Sequence, residues 1–119
     1  MVFLLTGWGQ YWPDPSRYLG SLTPQDSTTL HFPGFSGKAV SFLVNQRAIY
    51  GIGIDTASID PGQSKTFQAH QILGKANRFA IENVANLEQL PHQGALVTAL
   101  PMKIKGGTGG PVRVIGWVP

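Results

Sequence analysis

"GIGIDTASID", residues 51–60, is an apolar run interrupted by two glycines and halted by Asp55. With Ile49 it predicts a strand over Ile49–Ile54, and glycines inside a strand mark a close approach of neighbouring backbone. The polar cluster Asp55, Thr56, Ser58 and Asp60 falls where this strand gives way to a loop. Asp55 and Asp60 are therefore candidates for metal ligands or a catalytic carboxylate pair. The commoner role for Asp, Ser and Thr after a strand is to cap turns through side-chain to backbone hydrogen bonds.

Upstream of this stretch, Ser36 is a fair N-cap for a helix of about nine residues whose apolar stripe is Ala39, Val40, Phe42 and Leu43. Trp8–Phe35 reads as a long excursion punctuated by Pro13, Pro15, Pro24 and Pro33, with Trp8, Tyr11, Trp12 and Tyr18 as packing anchors. Met1–Leu5 is a continuous apolar run ended by Thr6-Gly7, a buried strand that must be paired from later in the chain or from outside it. Downstream, Ser64–Lys75 suits a second helix, Phe79–Ile81 a short strand, and Val84–Leu90 a turn or short helix. Ala95–Ile104 and Val112–Val118 are the final strands. Strands alternating with helices, with no internal repeat and no low-complexity linker, indicate a single α/β domain over residues 1–119.

Composition narrows the function classes. A chain of 119 residues that is 42% hydrophobic can bury an ordinary core. Fifteen glycines and nine prolines argue against a long helical bundle. Nine Lys and Arg against six acidic residues give a net charge of +3, and the basic residues do not cluster beyond Lys103 and Lys105. Binding to nucleic acid needs several clustered cations, so it is not expected. The absence of cysteine removes disulfides and thiol chemistry and leaves His, Asp and Glu as metal ligands. No apolar stretch approaches the roughly 20 residues of a membrane span, and "MVFLL" lacks the basic flank of a signal peptide. A cytoplasmic protein without a membrane partner is expected.

Two further stretches carry candidate chemistry. "AHQILGKANRFAIENVANL", residues 69–87, sets His70 twelve positions before Glu82. A carboxylate at the end of an apolar strand is costly unless paired or metal-bound, which makes Glu82 the most interesting acid of the chain. Its plainer role is a first-turn Glu favoured by a helix dipole, and His70 alone reads as a surface helix residue. "GGTGGPVRVIGW", residues 106–117, looks at first like a phosphate cradle. A P-loop requires Lys-Ser/Thr and then a helix, whereas Pro111, Val112 and Arg113 open a strand, so a flexible strand-to-strand connection is the local reading. His31 and His92 sit in proline-flanked loops without partners in sequence. An anion-binding role for Lys103, Lys105 and Arg113 is a weaker alternative.

Taken in order, "LLTGWGQYW", "GIGIDTASID", "AHQILGKANRFAIENVANLEQLP" and "ALPMKIKGGTGGPVRVIGW" resemble the C-terminal half of the cyclase family, which includes bacterial-type kynurenine formamidases and isatin hydrolases. The resemblance runs through nearly the whole chain and is weakest at Ser16–Pro33. It implies a partial swivelling β/β/α domain, with a mixed sheet and short helices. It also implies a metal-dependent hydrolase of amides: an arylformamidase converting N-formylkynurenine to kynurenine and formate in tryptophan breakdown, or a cyclic-amide hydrolase acting on isatin. By the family pattern H-x-x-L-L…I-E-N-L, His70 and Glu82 are metal ligands, for a divalent metal such as Zn or Mn. The Trp8 region and the glycine loop, Gly106, Gly107, Thr108 and Gly109, are implied to shape the substrate pocket. Gly110 stands where the family has Ser.

The family signature H-x-G-T-H-x-D-x-P-x-H, which supplies the remaining ligands and the catalytic His, has no match in these residues, so no catalytic residue is assigned. The resemblance therefore implies an N-terminally truncated domain with little or no hydrolase activity alone. The alternative is a catalytically incomplete isoform or remnant that packs on another protomer through its unpaired first strand, as a homo-oligomer.

Overall fold

Gly51–Ile54 forms the central strand, β2, of a three-stranded parallel sheet in the computed structural model, which describes residues 1–119. Val2–Leu4 is β1 and Phe79–Ile81 is β3, in the order β1-β2-β3, with Val2, Ile52 and Ala80 in register. The first strand thus finds its partner in β2. Residues alternate between sheet faces with period two, so Val2, Leu4, Ile52, Ile54 and Ala80 share one face. That face packs against Val40, Leu43 and Val44 of one helix and Ala69, Ile72 and Leu73 of another. Ile52 and Ile54 are completely buried there.

These helices are α2, Gly37–Arg47, and α3, Gln68–Lys75, preceded by a single-turn helix α1, Pro15–Tyr18. Ser36 caps α2 as expected, its Oγ accepting from the Ala39 amide at 3.2 Å. The stripe of α2 facing the core is Val40, fully buried, with Leu43 and Val44, partly buried, at i, i+3, i+4 spacing. Phe42, expected inside, points outward and lies under the Arg47 guanidinium. The excursion between β1 and α2 holds α1 and two 3-10 turns, Trp8–Tyr11 and Ser27–Thr29, and is anchored by Tyr18, Phe32 and Phe35, all buried. The helix expected from Ser64 starts only at Gln68, because Phe67 takes a left-handed conformation with φ 48°.

The opposite sheet face carries Phe3, Gly51, Gly53, Phe79 and Ile81. The close approach expected at the two glycines is made by aromatic rings: a Cβ on Gly53 would run into the Phe3 ring, and one on Gly51 into Phe79. Glycine at these positions lets rings from both outer strands cover the central one.

The chain divides into two units, Met1–Leu87 and Glu88–Pro119. The second unit is an antiparallel hairpin of β4, Leu96–Pro101, and β5, Val112–Trp117, in register from Leu96–Trp117 to Pro101–Val112. The parallel and antiparallel pairings thus belong to separate sheets. The ten-residue connection closes through the Met102 amide donating to Pro111 O at 3.0 Å. Gly106 turns it with φ +73°, in open space.

Candidate functional site

Ligand sites of open α/β sheets lie beyond the carboxyl ends of the parallel strands. Here those ends lead into Thr6, Asp55 and Glu82. Residues after β3 continue alongside those after β2, with the Val84 amide donating to Ile54 O and the Asn83 amide to Thr56 O. This continuation places Glu82 at the mouth of the sheet.

The two aspartates that the sequence left equivalent are separated by their partners. Asp55 is a clamp: Oδ1 accepts from the Thr6 amide at 3.0 Å and the Thr6 hydroxyl at 2.6 Å, and Oδ2 from the Gly9 amide at 3.4 Å. It pins the segment after β1 to the end of β2. Asp60 faces α3 instead. Its carboxylate accepts from the Ala69 amide at 2.9 Å and the His70 amide at 3.2 Å, capping a helix whose own N-cap position, Phe67, supplies no side-chain bond. The same carboxylate reaches the His70 ring, with Nδ1 to Oδ2 at 2.7 Å.

On the other side of that ring, Nε2 lies 3.3 Å from Glu82 Oε1. The Glu82 oxygen is held by the Ile59 amide at 2.9 Å. The His70 side chain is 46% exposed and that of Glu82 30%, so both residues reach solvent. The two residues weighed separately in the sequence are thus brought together by α3 and the end of β3. No third His, Cys, Asp or Glu joins them in a metal-holding group.

The spacing suits two donors of one divalent ion. With Zn–N and Zn–O bonds of about 2.1 Å, two ligands at a tetrahedral angle sit roughly 3.4 Å apart. An imidazole nitrogen and a carboxylate oxygen are ordinary donors for Zn and Mn.

Tyr18 is a neighbour that the sequence presented only as a packing anchor. Its hydroxyl donates to Asn83 Oδ1 at 2.9 Å and lies 3.1 Å from the Asp55 carbonyl oxygen. Burial, and then the negative charges of Asp55 and Glu82, push its pKa up to about 12. Trp8 is half-buried and fixed by its indole N–H donating to Tyr18 O at 2.7 Å. Gly106, Gly107, Thr108 and Gly109 lie exposed in the β4–β5 connection, with Lys103 and Lys105, while Arg113 is on β5. His31 bonds Thr29 O and Gln63, and His92 lies exposed in the loop before β4.

The parallel sheet with its packed helices defines an α/β protein, with a carboxylate–imidazole–carboxylate series at the mouth of that sheet. The chain belongs to the cyclase family: the family model described as "Putative cyclase" matches residues 1–61. An isatin hydrolase of Roseibium aggregatum is 34% identical over 122 residues, covering 99% of this chain and 44% of that protein. A kynurenine formamidase of Paracidovorax citrulli is 38% identical over 64 residues, covering 54% of this chain and 29% of that protein. The fold also matches a crystal structure of an isatin hydrolase bound to the product analogue thioisatinate. The TM-score is 0.87 at 33% identity, over 98% of this chain and 45% of that one. Isatin hydrolase A from Ralstonia solanacearum matches with TM-score 0.84 at 33% identity, over 96% of this chain and 44% of that one. The chain therefore spans less than half the length of these relatives. No helix is long and apolar enough to cross a membrane.

Proposed function

We propose that this chain carries part of the site of a metal-dependent amide hydrolase, with His70 Nε2 and Glu82 Oε1 as two of its metal donors. The single observation that supports this reading is the 3.3 Å convergence of those atoms, each fixed from behind by a separate hydrogen bond. A divalent ion held there supplies Lewis acidity toward a carbonyl and acidifies water to a pKa near 7. Two protein donors bind such an ion weakly, so additional ligands complete the working site. The relatives' names favour a cyclic amide such as isatin, or N-formylkynurenine, as substrate.

Within this reading, Ile59 N–H keeps the Glu82 carboxylate turned toward the ring. Tyr18 and Asn83 hold the backbone after β3, so that Glu82 does not swing away. The half-exposed ring of His70 leaves room for a small amide to approach.

Thioisatinate provides a test that does not require turnover. It is titrated calorimetrically into the chain with and without saturating Mn²⁺ or Zn²⁺. Metal-dependent binding that disappears in Glu82→Ala is expected. Binding that is indifferent both to metal and to Glu82 contradicts the proposal.

A further inference from the structure

We infer that Asp60 is a positioning residue that sets the tautomer of His70, holding the ring proton on Nδ1 and leaving the Nε2 lone pair aimed at the position beside Glu82. An ionised carboxylate only accepts hydrogen bonds. Asp60 is nearly fully buried, at 2% exposure, and each of its close partners is a nitrogen: the Ala69 amide, the His70 amide and His70 Nδ1. The two amides must donate, and at 2.7 Å Nδ1 must donate as well. Which nitrogen of a neutral imidazole is free is decided by the hydrogen bond of the other, so Nε2 is left unprotonated.

That lone pair faces another acceptor. Glu82 Oε1 already accepts from the Ile59 amide, and its 3.3 Å separation from Nε2 is beyond the usual 2.7–3.2 Å of an N–H···O bond. Two acceptors held face to face are satisfied by a cation between them. The carboxylate behind the histidine thus prepares the nitrogen in front of it. Because the same carboxylate caps α3, the direction of the ring and the start of the helix are fixed by one group. The role of Asp60 in metal binding rests on the functional reading above, but the tautomer belongs to the metal-free chain and is measured there.

The experiment is ¹⁵N NMR of the imidazole rings in the metal-free chain, at a pH where they are neutral, with His70 assigned by comparison with His70→Ala. The expected result is a protonated Nδ1 and an unprotonated Nε2. Asp60→Ala should move the proton to Nε2, where it donates to Glu82, and should weaken Zn²⁺ binding about 10- to 100-fold. Ser64→Ala is the structural control: it removes the hydrogen bond that the Phe67 amide donates to Ser64 Oγ just before α3. It should loosen the helix without moving the ring proton. A wild-type ring carrying its proton on Nε2 overturns the inference, whether or not Asp60→Ala folds. A ring protonated on Nδ1 in a chain that binds no Zn²⁺ supports the tautomer assignment and counts against the metal reading alone.

Discussion

His70 Nε2 and Glu82 Oε1 stand 3.3 Å apart although they belong to different elements, one on the first turn of α3 and the other just beyond β3. The parallel pairing of β3 with β2 carries Glu82 to the sheet mouth, and the Asp60 cap brings the start of α3 to meet it. Glu82→Gln separates charge from shape at this meeting point. The amide oxygen can still accept from Ile59 N–H, so the thermal midpoint should change little, while Zn²⁺ affinity falls sharply. Differential scanning calorimetry beside a Zn²⁺ titration checks both halves. A variant that unfolds but retains affinity when refolded contradicts the assignment.

Tyr18 should make stability fall at high pH. Its phenol ionises near 10 in an unfolded chain but only at about 12 in the fold. Between those values the unfolded state has released a proton that the folded state retains, so stability present below pH 10 is lost as pH rises toward 12. Urea unfolding at pH 8 and pH 11 should show this loss in the wild type and less of it in Tyr18→Phe. At pH 8 the variant should be less stable by about 0.5–1.5 kcal/mol, for the missing hydrogen bond to Asn83.

Gly53→Ala should destabilise the parallel sheet by about 1–3 kcal/mol, since its Cβ would meet the Phe3 ring in a packed face. Combining it with Phe3→Leu should cost less than the sum of the two single changes, because the smaller side chain yields space to the new methyl. Denaturant midpoints of the four chains give the coupling; additive costs would show that the ring and the glycine do not share that space.

Ala48 ends α2 in the left-handed region, at φ 47°, with its amide donating to Leu43 O. An L-residue there carries a penalty that glycine avoids, against which glycine loses more chain entropy on folding. Ala48→Gly should therefore stabilise by roughly 0.5–1 kcal/mol. Thermal unfolding measures it, and a lowered midpoint would mean that the entropy cost prevails.

Much of this was legible in local chemistry. Ser36 announced its helix, and the apolar FAI run announced β3 with its own limits. Phe42 stands in the unbroken apolar run Phe42, Leu43 and Val44, and one residue of rotation around a helix separates inside from outside. Nothing local shows that Phe67 adopts positive φ, so the sequence alone starts α3 at Ser64 rather than at Gln68. Asp55 and Asp60 could not be told apart: their roles depend on Thr6 and His70, which only the tertiary fold brings to them. Tyr18 read as an anchor because its hydroxyl partner, Asn83, is remote in sequence. The pairing of His70 with Glu82 rests on the family resemblance: Glu82 stands out at a strand end, but nothing local marks His70 as its partner.

Equilibrium dialysis against buffered Zn²⁺ shows whether His70 and Glu82 hold a divalent metal together. Elemental analysis then gives metal per chain for the wild type and for the His70→Ala, Glu82→Ala double variant, with folding of both checked by circular dichroism. Saturable Zn²⁺ uptake by the wild type that is absent from a folded double variant is the expected result. Equal uptake by the two chains, or none by either at any free Zn²⁺ tested, would contradict it.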